Sequence, residues 1–133
     1  MKETSVVSVL VVDDFEEWRN MVRAVFQDEL QLQVMDEAAD GMEAVQKARK
    51  LQPDLVVLDI SLPGLNGIEA THQIKSVSPR SEVIILSENR SPDVVDAALD
   101  KGAGAYVVKS ACTRELIPAV KAALSGRRLH LAA

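Results

Sequence analysis

The sequence has few aromatic residues, a single cysteine and no long apolar segment. Tryptophan and tyrosine occur once each and phenylalanine twice, so a core built from the 47% hydrophobic residues must be mainly aliphatic. The lone Cys112 excludes an internal disulfide and fits a reducing compartment. No apolar run reaches the roughly 18 residues of a membrane span, and no signal-peptide pattern precedes the first strand-like run. We therefore expect a cytoplasmic protein without a membrane segment.

Positive charge is also scarce. The formal net charge is −5 at pH 7, and no run of consecutive Lys and Arg exceeds two residues, as at Arg127-Arg128. Such a balance argues against nucleic-acid binding by this domain itself. The 133 residues suffice for one core and contain no internal repeat. We expect one domain over residues 6–126, followed at 127–133 by the start of a linker or a C-terminal tail.

Five short apolar runs alternate with five helical stripes. The runs, interpreted as strands, are Val6–Val12, Leu32–Met35, Leu55–Leu58, Val83–Leu86 and Ala105–Val108. Apolar residues at three- and four-residue steps predict helices around Phe15–Phe26, Met42–Leu51, Ile68–Val77, Val94–Leu99 and Leu116–Leu124. This alternation predicts an α/β fold with a parallel sheet and helices on both faces.

Local signals refine these helices. Phe15 and Trp18 begin the first apolar stripe, and Trp18 is expected in the core. Thr113 is expected to cap the fifth helix, while Pro118 in its second turn should bend that helix or delay its start. Ser91-Pro92 supplies a capping serine and a first-turn proline for the fourth helix.

Carboxylates follow two of the predicted strands. Asp13 and Asp14 come after the first strand and Asp59 after the third, while Ser87 and Lys109 end the fourth and fifth. In an open α/β sheet these positions share the carboxyl edge, where ligands bind. Clustered carboxylates suit Mg²⁺, and a nearby hydroxyl and ammonium suit a phosphoryl group.

With these residues in view, the chain resembles a response-regulator receiver domain of two-component signalling (CheY-like), most closely the NarL/FixJ (LuxR-type) group. The resemblance spans roughly Val6 to Gly126. It is carried by the segments Val11–Asp14, Ala39–Ala44, Asp59 with Leu62–Gly67, Ile85–Ser87 and Gly102–Lys109. It implies a flavodoxin-like (βα)5 three-layer sandwich with a five-stranded parallel sheet in the order 2-1-3-4-5.

The resemblance also implies a role for each matching residue. Asp59 is the expected phospho-acceptor, and Ser87 and Lys109 are expected to bind the phosphoryl oxygens. Tyr106 is expected to turn inward as Ser87 moves, changing the face formed by the fourth helix, fifth strand and fifth helix. The expected ligands of Mg²⁺ are Asp13, Asp14, Asp59 and the backbone carbonyl of Ser61.

The expected partners are a sensor histidine kinase or phosphotransfer protein and a second copy of the chain after phosphorylation. The chain is either an excised receiver or a stand-alone one; in the first case, a C-terminal helix-turn-helix domain outside this sequence would bind DNA. Such a domain catalyses only its own phosphorylation and dephosphorylation and is otherwise not an enzyme. Two alternatives stay open: a phosphorylation-independent interaction module with the same fold, and a flavodoxin-like cofactor binder, which the acidic segment Asp13–Glu17 disfavours.

Two residues depart from the family pattern. Ser110 stands where proline often follows the lysine, so the Lys109-Ser110 peptide loses the usual support for a cis bond. Glu88 stands where a small residue commonly follows the serine, and its charge bears on the rate of phosphorylation rather than on its site.

Overall fold

A computed structural model describes residues 6–132, with side chains described as far as Gly126. Its strands are β1 (Val7–Val12), β2 (Leu32–Ala38), β3 (Leu55–Leu58), β4 (Glu82–Ser87) and β5 (Ala105–Val108). Its helices are α1 (Glu16–Phe26), α2 (Gly41–Leu51), α3 (Gly67–Val77), α4 (Pro92–Asp100) and α5 (Cys112–Ala132). A short 3-10 turn over Lys109–Ala111 joins β5 to α5.

The five strands form one parallel sheet in the order β2-β1-β3-β4-β5, which confirms the predicted fold. Alternating side chains of the central strands enter two apolar layers. One layer packs on α2, α3 and α4 and includes Leu10, Val56 and Ile85. The other packs on α1 and α5 and includes Val9, Val57 and Ile84. Because both faces of β3 are covered, its four residues form an unbroken apolar run.

The strand β2 extends three residues beyond the predicted Leu32–Met35. Asp36 and Glu37 are unfavourable strand residues, but cations on neighbouring helices stabilise them there. Arg19 and Arg23 of α1 both bond the carboxylate of Glu37, and Lys47 of α2 lies 3.1 Å from Asp36 Oδ1. The propensity-based end at Met35 was therefore wrong.

These ion pairs predict a pH-dependent stability. Burial raises the pKa of Glu37, but hydrogen bonds from Arg23 and Arg19 outweigh it and bring that pKa below its usual value of 4.5. A lowered folded-state pKa stabilises the fold above the unfolded value, and the gain is lost as pH falls through the folded pKa. Glu37→Gln should thus lose about 1 kcal/mol of unfolding free energy at pH 7. In urea titrations the loss should shrink below pH 4.5. The exposed Asp28→Asn is the matched control and should change the unfolding free energy at pH 7 by less than about 0.5 kcal/mol. A loss for Glu37→Gln that is independent of pH would contradict this account.

Apolar residues at the carboxyl edge are more exposed than predicted. Phe15 precedes α1 and is 57% exposed, and Met42 in the first turn of α2 is 54% exposed. Trp18 packs on the α1 layer but is only partly buried. Helical periodicity assigned all three to the core, but the side chains of Phe15 and Met42 are exposed and that of Trp18 is only partly covered.

The start of α5 also differs from the prediction. The helix begins at Cys112, directly after the 3-10 turn, and contains Pro118 in its interior. Thr113 therefore lies inside the helix, and Pro118 does not delay its start. The backbone of residues 127–132 continues α5, and the assignment of 127–133 to a linker or tail stays a prediction.

Candidate functional site

Asp13 and Asp59 lie side by side because their backbones extend the pairing of β1 with its neighbours. The backbone N–H of Asp13 donates to the carbonyl of Ala38 at 3.1 Å, and that of Asp59 donates to the carbonyl of Val12 at 3.1 Å. Both aspartates are at most 5% exposed. The strand ladder thus places two carboxylates in a buried position at the carboxyl edge of the sheet.

Asp14 completes an acidic cluster with these two residues. One carboxylate oxygen from each of Asp13, Asp14 and Asp59 lies within 4.8 Å of the others. Asp13 Oδ1 accepts from the N–H of Phe15 at 3.0 Å, and Asp59 Oδ1 accepts from the N–H of Ile60 at 2.8 Å. Asp14 is exposed, so its carboxylate forms the solvent side of the cluster.

Lys109 brings an ammonium to the buried side. The 3-10 turn after β5 directs its Nζ to 2.7 Å from Asp13 Oδ2 and 3.4 Å from Asp59 Oδ2. The ring centroid of Trp18 lies 4.6 Å from the same nitrogen. Since the lysine side chain is 5% exposed, its charge is balanced almost entirely by protein groups.

One lysine does not fully neutralise this cluster. Burial raises the pKa of Asp59, Lys109 lowers it and Asp13 raises it further, while the backbone N–H groups of Ser61 and Ile60 also lower it. The net direction is upward. Burial is the largest cause of this rise. Three carboxylates face one ammonium, so the cluster can accept a further cation.

Ser87 and Tyr106 are linked through the main chain of Asn89. The buried Ser87 Oγ accepts from the N–H of Asn89 at 3.2 Å, and the Tyr106 hydroxyl donates to the Asn89 carbonyl at 2.6 Å. In the β4–β5 register Ser87 lies opposite Val108, which is the residue before Lys109. A displacement of Ser87 can therefore be transmitted to Tyr106 through Asn89.

The loop between β3 and α3 is folded tightly over Asp59. The N–H groups of Leu62 and Gly67 both donate to the Ile60 carbonyl, at 2.9 and 2.8 Å. A Cβ on Gly67 would lie 2.1 Å from the Asp59 carbonyl oxygen. The absence of a side chain at Gly67 thus lets α3 begin directly against the backbone of the aspartate.

The structure brings Asp13, Asp14, Asp59 and Lys109 together, as the sequence predicted. Ser61 lies in the loop after Asp59 and is exposed, and a metal-binding role for its carbonyl stays a prediction. Among residues 6–132 no peptide bond is cis, so Lys109-Ser110 is trans. Glu88 is exposed.

Two neighbours of the site had little signal in the sequence. Asn89 acts through its main chain, which no side-chain pattern reveals. Trp18 follows the Asp pair by one helical turn, but its apolar spacing favoured a core position over contact with Lys109.

Comparison with known proteins gives one consistent family. A sequence model of the response regulator receiver domain matches residues 9–121. The chain is 34% identical over 115 residues to the response regulator protein VraR of Staphylococcus aureus, an alignment that covers 86% of this chain and 55% of VraR. The chain thus spans about half the length of the curated relatives it matches.

Solved structures give the same result. A LuxR-family two-component response regulator from Aurantimonas has a TM-score of 0.87 and 35% identity, covering 92% of this chain and 88% of its own. A Borrelia burgdorferi chain from a CheX-CheY-BeF3-Mg+2 complex has a TM-score of 0.82 and 30% identity, with 87% of each chain covered. No helix within residues 6–132 combines the length and hydropathy needed to cross a membrane.

Proposed function

Since this chain belongs to the response regulator receiver family of two-component systems, we propose that it is a switch turned on by Mg²⁺-dependent phosphorylation of Asp59. The observation that carries this proposal is that the buried Asp59 belongs to the acidic cluster and also lies 3.4 Å from the Lys109 ammonium. The phosphoryl donor is a histidine kinase or a phosphotransfer protein, and the proposed location is the cytoplasm.

The residues fit Mg²⁺ by the chemistry of their donors. Three carboxylates, two buried and one exposed, offer hard oxygen ligands, and so few protein ligands suit Mg²⁺, which would keep several of its waters. Asp14 and Asp59 would bind it directly, and Asp13 directly or through water. When bound, the ion neutralises phosphoryl oxygens and the carboxylates around them.

Asp59 would act as the nucleophile. One of its carboxylate oxygens attacks the phosphorus of the donor, and the bond from phosphorus to the donor's imidazole nitrogen breaks. That electron pair stays on the imidazole, and the product is an aspartyl phosphate. Lys109, 3.4 Å from Asp59 Oδ2, would neutralise charge on the transferred group, and the Ser87 hydroxyl would donate to another oxygen. Apart from forming and hydrolysing this bond, the domain is proposed to have no enzymatic activity.

The proposed output starts at Ser87. A phosphoryl group that draws the Ser87 hydroxyl would disturb its bond from Asn89, whose carbonyl accepts from Tyr106. The surface of α4, β5 and α5 around Tyr106 would then repack and pair with a second copy of the chain. The longer relatives support a further output domain, proposed to be a DNA-binding helix-turn-helix. Sedimentation with and without beryllofluoride tests the self-association step.

Incubation with acetyl phosphate followed by intact-mass measurement tests the proposed function. The wild-type chain should gain one phosphoryl group in Mg²⁺ and none after chelation. Lack of any gain in Mg²⁺ would favour an interaction module that works without phosphorylation.

Metal affinity should depend more on Asp14 than on Asp13. Both oxygens of Asp13 already bond Phe15 and Lys109, whereas Asp14 is exposed at the mouth of the cluster. Asp14→Ala should weaken Mg²⁺ binding about tenfold, equivalent to the ~1.4 kcal/mol expected for one well-placed charge. Titration of the fluorescence of Trp18, the sole tryptophan, measures this. Asp14→Ala with wild-type affinity would contradict the ligand assignment.

A further inference from the structure

Trp18 lies against the ammonium of the pocket rather than deep in the α1 layer. It stands in the first turn of α1, is partly exposed, and has its ring centroid 4.6 Å from Lys109 Nζ. In the same helix Val22 and Phe26 are buried in the core, and Val25, like Trp18, is partly buried against it. Trp18 therefore packs on the core and also contacts the ammonium.

Three groups surround Lys109 Nζ. Asp13 lies at 2.7 Å and Asp59 at 3.4 Å, and the indole of Trp18 is the third group beside the ammonium. A cation near the face of an aromatic ring is attracted by the ring quadrupole, most strongly by tryptophan and most of all when water is excluded. Because the lysine side chain is 5% exposed, this attraction is little screened.

The two carboxylates hold the ammonium unequally. Its shorter bond is to Asp13, whereas phosphoryl transfer to Asp59 requires it to reach an oxygen of the incoming group. The lysine must therefore give up part of its pairing with Asp13 as the reaction proceeds. An aromatic face suits this exchange, because it attracts the cation without fixing the direction of any N–H bond.

We propose that Trp18 is a positioning residue for Lys109. Its indole keeps the ammonium in the pocket while the ammonium exchanges the Asp13 carboxylate for a phosphoryl oxygen on Asp59. This inference rests on the proposed function of Asp59. It concerns the rate of phosphorylation and adds no ligand to the metal.

The first test compares two substitutions of Trp18 by their rates of labelling with acetyl phosphate in saturating Mg²⁺. Trp18→Leu keeps an apolar side chain but removes the ring, and it should label about fivefold more slowly, or ~1 kcal/mol at 1.36 kcal/mol per tenfold. Trp18→Phe keeps a ring and should stay within about twofold of wild type. Val25→Ala, a partly buried position of the same layer, is the control for lost packing and should label at the wild-type rate.

The second test asks whether Trp18 acts through Lys109. In a Lys109→Ala background, Trp18→Leu should change the labelling rate by less than about 1.5-fold, because no ammonium remains to be positioned. An equal loss in both backgrounds would overturn the inference, as would equal rates for the Phe and Leu variants. If Lys109→Ala labels too slowly to measure, the comparison of Phe with Leu decides. A wild-type chain that gains no phosphate would instead refute the proposed function itself.

Discussion

Asp59→Asn is expected to gain no phosphate from acetyl phosphate under conditions that label the wild-type chain completely. An amide lacks the nucleophilic carboxylate oxygen, and no other aspartate within residues 6–126 has the same surroundings. Asp13 is engaged by Lys109 and by the N–H of Phe15, while Asp14 is exposed and lies at the solvent side of the cluster. Intact-mass measurement over a time course gives the result directly.

The same variant should stay folded, which separates chemistry from stability. Burial raises the pKa of Asp59 and outweighs the effect of Lys109. A raised folded-state pKa means that the ionised carboxylate costs folding free energy once the pH exceeds the unfolded value of 3.8. Without Mg²⁺, Asp59→Asn should therefore unfold at pH 7 at no lower temperature than wild type. An Asp59→Asn protein that is folded and gains phosphate would refute the assignment of the acceptor.

Gly67→Ala is expected to cause the largest loss of stability from a single methyl group at the site. The added Cβ would lie 2.1 Å from the Asp59 carbonyl oxygen and 2.6 Å from Ile60 Cα, both backbone atoms directly after β3. Relief requires α3 to move away from the sheet, so the unfolding free energy should fall by about 3 kcal/mol. Urea denaturation measures this loss, and phosphorylation should slow as the loop over Asp59 shifts.

Gly126→Ala is the matched control for that substitution. Gly126 lies in α5, and a methyl group added there would meet nothing within 4 Å. Alanine should therefore leave stability unchanged or raise it by up to about 1 kcal/mol through helix propensity. If both glycine variants had the same stability as wild type, the close approach of α3 to Asp59 would be contradicted.

The ends of the strands and the carboxylates that follow them were predictable because each apolar run stops at a polar residue, and both features mark the same boundary. The apolar run Leu55–Leu58 requires a strand covered on both faces, and the polar residue that ends it must lie at the carboxyl edge. The convergence of Asp13 with Asp59 needed the strand order, which came from the resemblance and not from periodicity. The structure then gave the pairing of β1 with β3 that places them together.

The errors arose where tertiary contacts override local preference. Asp36 and Glu37 extend β2 because cations on α1 and α2 pair with them, and these partners are distant in sequence. Phe15 and Met42 follow helical spacing, yet the side chains of both are exposed in the structure. Trp18 has the helical spacing of a core residue, but its ring also contacts Lys109, which directly follows the edge strand β5.

The central claim is that Asp59 carries the phosphoryl group. Borohydride reduces an aspartyl phosphate to homoserine, and tandem mass spectrometry of the digested protein locates that residue. After acetyl phosphate and Mg²⁺, homoserine should occur at position 59, and it should be absent after chelation. Homoserine at position 13 or 14 with an intact Asp59, or none at any position, would contradict the claim.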